Sequence, residues 1–346
     1  MKKKKKILFS LIIIVLATIL VGGTVFVYIF SKSNVSLSGK KETFIYIYPD
    51  YSVNQVITEI NKVAKIKNRT TLNFVAKTLK YTDNKVRAGR YAIYDGMSNL
   101  TLVRELRNGQ QTPVNLTFNN IRTKEQLAAR IAEQLIADSL SIITLLNDTN
   151  YLKPLGLTPA TSITLFIPDT YEMYWTTYAP SLFKRMEKEY HAFWTDARLK
   201  KARQIPLSAQ EVATLASIVE EETNYQPERP TVAGLYINRL RQHIKLQADP
   251  TVKYANADFK LRRVLNSHLT TQSPYNTYQV FGLPPGPIRI ASRNGIDAVL
   301  NYAHHNYLFM CAKETFDGTH NFATTYAEHQ QNARRYQQAL DQRNIK

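Results

Sequence analysis

From Ile7 to Phe30 the chain carries no charge, and only Ser10, Thr18, Thr24, Tyr28 and the pair Gly22-Gly23 interrupt its apolar character. A helix needs about 20 such residues to cross the hydrocarbon core, so the stretch predicts a membrane span. A cleaved signal peptide, the rival reading, has an apolar region of only about 7–15 residues, so length favours an uncleaved anchor. After a polar linker, Ser31 to Lys41, the pattern changes. Phe44 to Tyr48 alternates as a strand does. Val53, Val56, Ile57, Ile60 and Val63 recur at helical spacing behind Ser52, a natural N-cap. A second helix is expected from Thr70 or Thr71 to Leu79, and a strand from Arg87 to Tyr94 with Gly89 inside it. Together they predict a small β-α-α-β unit.

Farther on, a helix is predicted over Asn99–Arg107, a strand over Pro113–Phe118 and a helix over Thr123–Leu135, opened by the capping-box pair Thr123 and Gln126. One long charged helix is expected over 180–203. Ser208–Tyr225 predicts another helix with a capping box, Ser208 and Glu211, and Pro230–Gln242 the next. Leu246–Arg289 reads as loop, rich in Pro and Gly. Ile296–Tyr302 predicts a helix, Tyr307–Cys311 a strand and Tyr326–Ala339 a terminal helix. The fold class expected is α+β.

Composition narrows the function. Aromatics make up 11% of the 346 residues, too many for a disordered chain. Cys311 is the single cysteine, which excludes an internal disulfide scaffold and a structural zinc site built from several cysteines. Mean hydropathy is −0.30, so the chain is not polytopic. The net charge is +18, and +13 remains for residues 7–346 once the five lysines Lys2–Lys6 are set aside. Lysines before the span keep the N-terminus cytoplasmic and send the rest outside. There, nucleic acid is not the expected partner, whereas anionic lipid surfaces and acidic wall polymers are.

No GxGxxG, P-loop, GxSxG or HExxH pattern occurs, and neither metal nor cofactor is expected. The strongest chemical signal is Glu220-Glu221-Glu222, which ends the apolar run Leu215–Val219. On a helix, Val212, Leu215, Ala216 and Val219 share a face and Glu221 points away from it. Glu220 and Glu222 lie on the two flanks, and either can be half buried. A carboxyl so placed holds its proton near neutrality, as a general acid must. The bland alternative is a solvated acidic patch. A second cluster, Leu246–Tyr254, Ser273–Tyr278 and Gly282–Gly286, combines Tyr rings that stack on sugars with Asn, Gln and Asp that bind hydroxyls. It reads equally well as an ordered surface loop.

Several strings in order resemble one family. Leu215-Ala-Ser-Ile-Val-Glu-Glu-Glu-Thr223, Glu228-Arg229, Ile237-Asn-Arg-Leu240, Leu246-Gln-Ala-Asp-Pro-Thr-Val252, Ser273-Pro-Tyr-Asn-Thr-Tyr278 and Gly282-Leu-Pro-Pro-Gly286 are similar to the YceG-like family of endolytic murein transglycosylases. Arg87–Tyr91, Phe166–Tyr171 and His320-Asn-Phe322 extend the resemblance from about residue 44 to the end.

The resemblance implies a single-pass enzyme of the cytoplasmic membrane, with its catalytic domain outside. That enzyme cuts the bond between N-acetylmuramic acid and N-acetylglucosamine within peptidoglycan strands, leaves 1,6-anhydro ends and limits nascent strand length. It implies Glu220 as the one catalytic group, acting as acid and then as base, with a glycan groove lined by Asn238, Gln247, Asp249, Tyr254, Tyr275, Asn276 and Tyr278. No cofactor or metal is implied, and peptidoglycan synthases are candidate partners. The expected domains are a cytoplasmic tail (1–6), the span (7–30), a linker (31–43), a LysM-like subdomain with its connection (44–112) and the YceG-like catalytic domain (113–346). The alternatives are a muramidase using a second carboxylate such as Asp249, and a non-catalytic wall-binding protein.

Overall fold

A computed structural model describes residues 2–261 and 263–343. Of the expected cytoplasmic tail, residue 1 and the side chains of 2–6 lie outside the described residues, as do the last three residues of the expected catalytic domain. The apolar N-terminal run forms helix α1 (Lys2–Phe26), continued by a wider turn over Val27–Ser31. Phe9–Ser31, 23 residues of mean hydropathy 2.7, is long and apolar enough to cross a membrane. The architecture beyond it is helix-rich α+β, divided into two units.

The first unit comprises residues 1–115 and 171–177. Its elements are β1 (Val35–Ser36), β2 (Glu42–Ile47), α2 (Val53–Val63), β3 (Lys65–Ile66), α3 (Arg69–Thr78), β4 (Gly89–Tyr94) and α4 (Asn99–Asn108). The expected β-α-α-β order is present as β2, α2, α3 and β4. β2 pairs antiparallel with β4, from Glu42 opposite Tyr94 to Ile47 opposite Gly89. Alternation sends Ile45 and Ile47 inward and leaves Tyr46 exposed. Against them lie Val56 and Ile60 of α2, Leu72 and Val75 of α3, and Leu102 and Leu106 of α4. Ser52 caps α2 in a full capping box with Gln55. Gly89 answers to a close approach, since a Cβ there would stand 2.5 Å from Cγ of Gln111. Phe30 is buried in this core, and the Asn99 side chain donates to the Ile29 carbonyl at 2.9 Å.

The chain passes between the units at β5 (Val114–Thr117) and β6 (Thr170–Met173). The second unit holds α5 (Lys124–Ala132), α6 (Ser139–Asn147), α7 (Thr149–Leu152), α8 (Ala179–Phe193) and α9 (Asp196–Gln204). It continues with α10 (Ala209–Glu222), α11 (Arg229–Arg241), α12 (Asp249–Ala255), α13 (Asn266–Leu269) and α14 (Arg293–Leu300). β7 (Phe309–Ala312), β8 (His320–Ala323) and α15 (Tyr326–Gln342) complete it.

The long helix expected over 180–203 is in fact two, α8 and α9. Trp194 leaves the helical conformation, and the Thr195 side chain accepts the backbone N–H of Arg198 to start a new helix. The loop-rich stretch contains two short helices, α12 and α13. β7 finds its antiparallel partner in β8, a strand that hydrophobic alternation does not announce. At the centre of the unit, every residue of α10 from Val212 to Glu220 is buried.

Candidate active site

The Ser208–Glu211 capping box starts α10, and the helix stops at Thr223. Its last turn carries the three glutamates, and their side chains go to three different places.

Glu220 is 5% exposed. Arg229 Nη1 donates to its Oε1 at 2.9 Å, the Ser292 backbone N–H donates to Oε2 at 2.9 Å, and the Ser292 hydroxyl donates to Oε1. Ser292 is also the N-cap of α14, accepting the Gly295 N–H at 3.0 Å. The carboxylate therefore sits at a helix N-terminus, where negative charge is favoured. The fit is close, since a Cβ on Gly295 would lie 2.6 Å from Cδ of Glu220. Glu221 accepts from Arg122 Nη2 at 2.7 Å and from Arg289 Nη1 at 2.7 Å.

Glu222 faces an open cleft of about 460 Å³. Tyr236, itself buried, donates its hydroxyl to Glu222 Oε1 at 2.7 Å. Burial pushes the Glu222 carboxyl up to about 7. The Tyr236 hydrogen bond and the charge of Lys253 pull it down, and the charges of Asp249 and Glu221 push it further up. Raised carboxyls of this kind cluster at functional sites.

The same cleft is lined by Gln247, Asp249 and Tyr278, three of the seven expected groove residues. Tyr278 donates to Asp249 Oδ1 at 2.7 Å. Arg239, 6% exposed, ties the wall together. It donates to the carbonyls of Lys245 (2.9 Å) and Leu308 (2.8 Å) and to Gln247 Oε1 (2.5 Å). Gln247 adopts the left-handed conformation (φ 51°), and its N–H reaches the Thr277 carbonyl at 3.1 Å. Thr277 in turn accepts the Ala248 N–H at 3.0 Å. The strings 246–252 and 273–278, separate in sequence, are thus clipped into one wall.

Four expected groove residues do not line this cleft. Asn238 donates to the backbone carbonyls of His305 (2.7 Å) and Tyr307 (3.1 Å). Asn276 is fully buried and donates to the carbonyls of Leu269 and Thr271. Both amides hold loops in shape. Tyr254 and Tyr275 pack on each other with ring centres 4.7 Å apart, and Tyr254 borders a separate, smaller hollow with Arg122 and Glu221.

Sequence reasoning missed Tyr236, Arg239 and His320 as cleft residues. Arg239 and His320 fall inside strings already quoted for the resemblance, and Tyr236 immediately precedes one. Their spacing alone carries no sign of the role. Among the described residues no cluster of three or more His, Cys, Asp or Glu has the arrangement of a metal site.

The helix-rich α+β unit thus presents a half-buried carboxyl, Glu222, to a cleft walled by polar loops. The model of the YceG-like family matches residues 45–335, and the chain belongs to that family. A Bacillus subtilis protein called endolytic murein transglycosylase is 26% identical over 337 residues, covering 92% of this chain and 91% of its own length. A Streptococcus pneumoniae protein of the same name is 26% identical over 333 residues, covering 86% of this chain. This chain spans 59% of that relative. A crystal structure of a yceG-like protein from Listeria monocytogenes shares the fold with a TM-score of 0.58 at 24% identity, over 85% of this chain and 99% of the other.

Proposed function

We propose that this protein is a membrane-anchored lytic transglycosylase that cuts peptidoglycan strands internally, with Glu222 as its general acid. The observation that carries the reading is Glu222 itself, a carboxyl that burial pushes up to about 7, on the wall of the cleft and oriented by Tyr236. The family and the names of the curated relatives supply the substrate class.

The expected assignment to Glu220 is replaced in this reading. Glu220 is already engaged by Arg229 and Ser292, and its part is to hold α10, α11 and α14 together. Helical geometry left both flanks open, and the partners of each flank favour Glu222.

Protonated Glu222 donates to the oxygen linking muramic acid to glucosamine. That bond breaks with its electron pair on the departing oxygen. The muramyl C1 gains oxocarbenium character, and the same sugar's C6 hydroxyl closes on it to form the 1,6-anhydro ring, giving its proton to the Glu222 carboxylate and so restoring the acid. An internal nucleophile acts at high effective molarity and consumes no water. Asp249, the second carboxylate of the cleft, favours one alternative: activation of water in a muramidase, which leaves a reducing end.

The remaining parts of the reading follow the sequence. The N-terminal helix anchors the chain with its lysines inside. Residues 44–112 form a LysM-like subdomain and 113–346 the catalytic domain. Internal cutting limits strand length, beside the synthases that make the strands.

The test is mass spectrometry of products from purified peptidoglycan, using the full chain in detergent beside Glu222→Gln and Glu220→Gln. We expect anhydro-muramic ends from the wild type and none from Glu222→Gln, with residual cutting by Glu220→Gln. Reducing ends would establish the hydrolase instead. Undiminished cleavage by Glu222→Gln would remove Glu222 from the chemistry.

A further inference from the structure

The apolar run that ends at Ser31 is joined directly to the first unit. Ile29 packs on the core of that unit, and Phe30, Val35 and Leu37 are buried in it. On the anchoring reading proposed above, this joint stands at the surface of the bilayer. Tyr28, exposed beside it, suits that level, where tyrosines gather among the headgroups.

The joint contains a hollow of about 180 Å³. A network of amides supports it. Asn34, which is buried, donates to Asn99 Oδ1 at 2.6 Å and to the Asn68 carbonyl at 2.9 Å, and its Oδ1 accepts the Asn68 N–H at 2.7 Å. Asn99, also buried, donates to Thr71 Oγ1 at 3.0 Å and to the Ile29 carbonyl at 2.9 Å. The starts of α3 and α4 and the end of the helical run are thus held in one preformed surface.

Two lysines, Lys32 and Lys67, line this hollow. Lys67 Nζ donates to Ser33 Oγ at 3.2 Å, and Lys32 Nζ lies 4.7 Å from the centre of the Tyr28 ring. Among the described residues no carboxylate lines the hollow, and neither lysine is paired with one. An ammonium has three donors, so both keep N–H groups for a ligand. Two cations without a counter-charge on a preformed polar surface suit the oxygens of a phosphate.

Tyr28 and Lys32 also border a second surface, which runs back along the apolar helix. Ile19, Gly23 and Val27 make one row at intervals of four, and Leu20, Thr24 and Tyr28 make the next. Gly23 leaves the surface open, since a Cβ there would meet nothing within 4 Å. The Thr24 hydroxyl donates to the Val21 carbonyl at 2.8 Å, so its proton is engaged within the helix. A site for an anion therefore meets an apolar groove, which matches a molecule with a phosphate head and a hydrocarbon chain.

We propose that this joint is a binding site for an anionic glycerophospholipid of the bilayer, its phosphate held by Lys32 and Lys67 and one acyl chain lying in the groove over Gly23. The inference goes beyond the enzymatic reading and rests on the anchoring part of it. A headgroup that carries its own ammonium, as phosphatidylcholine does, is disfavoured by the two lysines.

The test uses the full chain in a neutral detergent. Phosphatidylglycerol, phosphatidylcholine or inorganic phosphate is added, and binding is followed by native mass spectrometry with thermal unfolding in parallel. We expect one phosphatidylglycerol retained per chain, in preference to phosphatidylcholine. Lys32→Gln combined with Lys67→Gln should bind it about 30-fold more weakly, from about 5-fold for each lysine at a membrane surface. Lys184→Gln with Lys188→Gln removes the same charge from α8 and should change nothing. Gly23→Leu, which fills the groove, should lose the retained lipid.

Equal retention of the two lipids overturns the proposal, as does an equal loss from the α8 pair. Inorganic phosphate that raises the unfolding temperature as far as phosphatidylglycerol does would make the ligand a free phosphate and overturn the lipid assignment. The intact mass of the chain extracted from membranes tests the anchor separately. A chain cut after the apolar run fails the anchoring reading and this inference with it. A whole chain that retains no phosphatidylglycerol fails this inference alone.

Discussion

Three consecutive glutamates at the end of α10 have three different fates, and the difference lies in their neighbours. Glu220 meets a guanidinium and a helix N-terminus, Glu221 meets two arginines, and Glu222 meets a tyrosine hydroxyl and a cleft. The raised proton affinity of Glu222 has a cost that can be measured. Its folded-state value lies above that of an unfolded chain, so the stability it contributes is complete in acid and is lost as pH rises through about 7. Glu222→Gln, which cannot ionise and keeps the acceptor for Tyr236, should match wild type at pH 4. At pH 8 it should exceed wild type by on the order of 3 kcal/mol, read by denaturant titration. Equal stability at both pH values would mean that Glu222 is not held protonated. Glu220→Gln should do the opposite, leaving Arg229 buried without its charge partner at a cost of about 3 kcal/mol. On the proposed reading its residual activity should still fall as pH rises past about 7, because Glu222 is untouched.

At the level of elements, α10 is the most legible part of the chain. Its capping box, apolar face and end are all in the sequence, because each depends on residues within one or two turns of each other. What α10 packs against was not legible. α14 reaches it from some seventy residues downstream, and Gly295 is where the two meet. We expect Gly295→Ala to force Glu220 from its place, lower the melting temperature and reduce kcat without moving the alkaline limb of the pH profile. An unchanged melting temperature would show that α14 can shift to accommodate the methyl group. The division of 180–203 into α8 and α9 shows the reverse difficulty. Charge and helix propensity run on through the break, and only the Thr195 cap marks it.

For the molecule as a whole, the end of the N-terminal helical run is built into the first unit. Phe30 stacks on Phe26, with ring centres 4.5 Å apart, and is buried in the core of the first unit. Asn99 holds the carbonyl just before it. Phe30→Ala should therefore destabilise the first unit by about 3–5 kcal/mol, as measured by thermal unfolding of the full chain in detergent. A change below about 0.5 kcal/mol, the range of ordinary surface substitutions, would make the contact incidental.

The sequence by itself determined the apolar N-terminal run, the α+β class, the β-α-α-β order, the helix carrying the glutamates and the two strings, 246–252 and 273–278, that contribute Gln247, Asp249 and Tyr278 to the cleft wall. These are set by periodicity, by capping and by the order of motifs, all of which are local. It left the proposed acid on either flank of one helix, because a helix alone treats positions 220 and 222 alike. Tertiary structure decided between their surroundings. It brought Arg229 and Ser292 to one flank, and Tyr236 and an open cleft to the other. It also set His320 beside Glu228, 92 residues away in the chain. A carboxyl's proton affinity depends on burial and on charges within a few ångströms, and those distances exist only once the chain has folded.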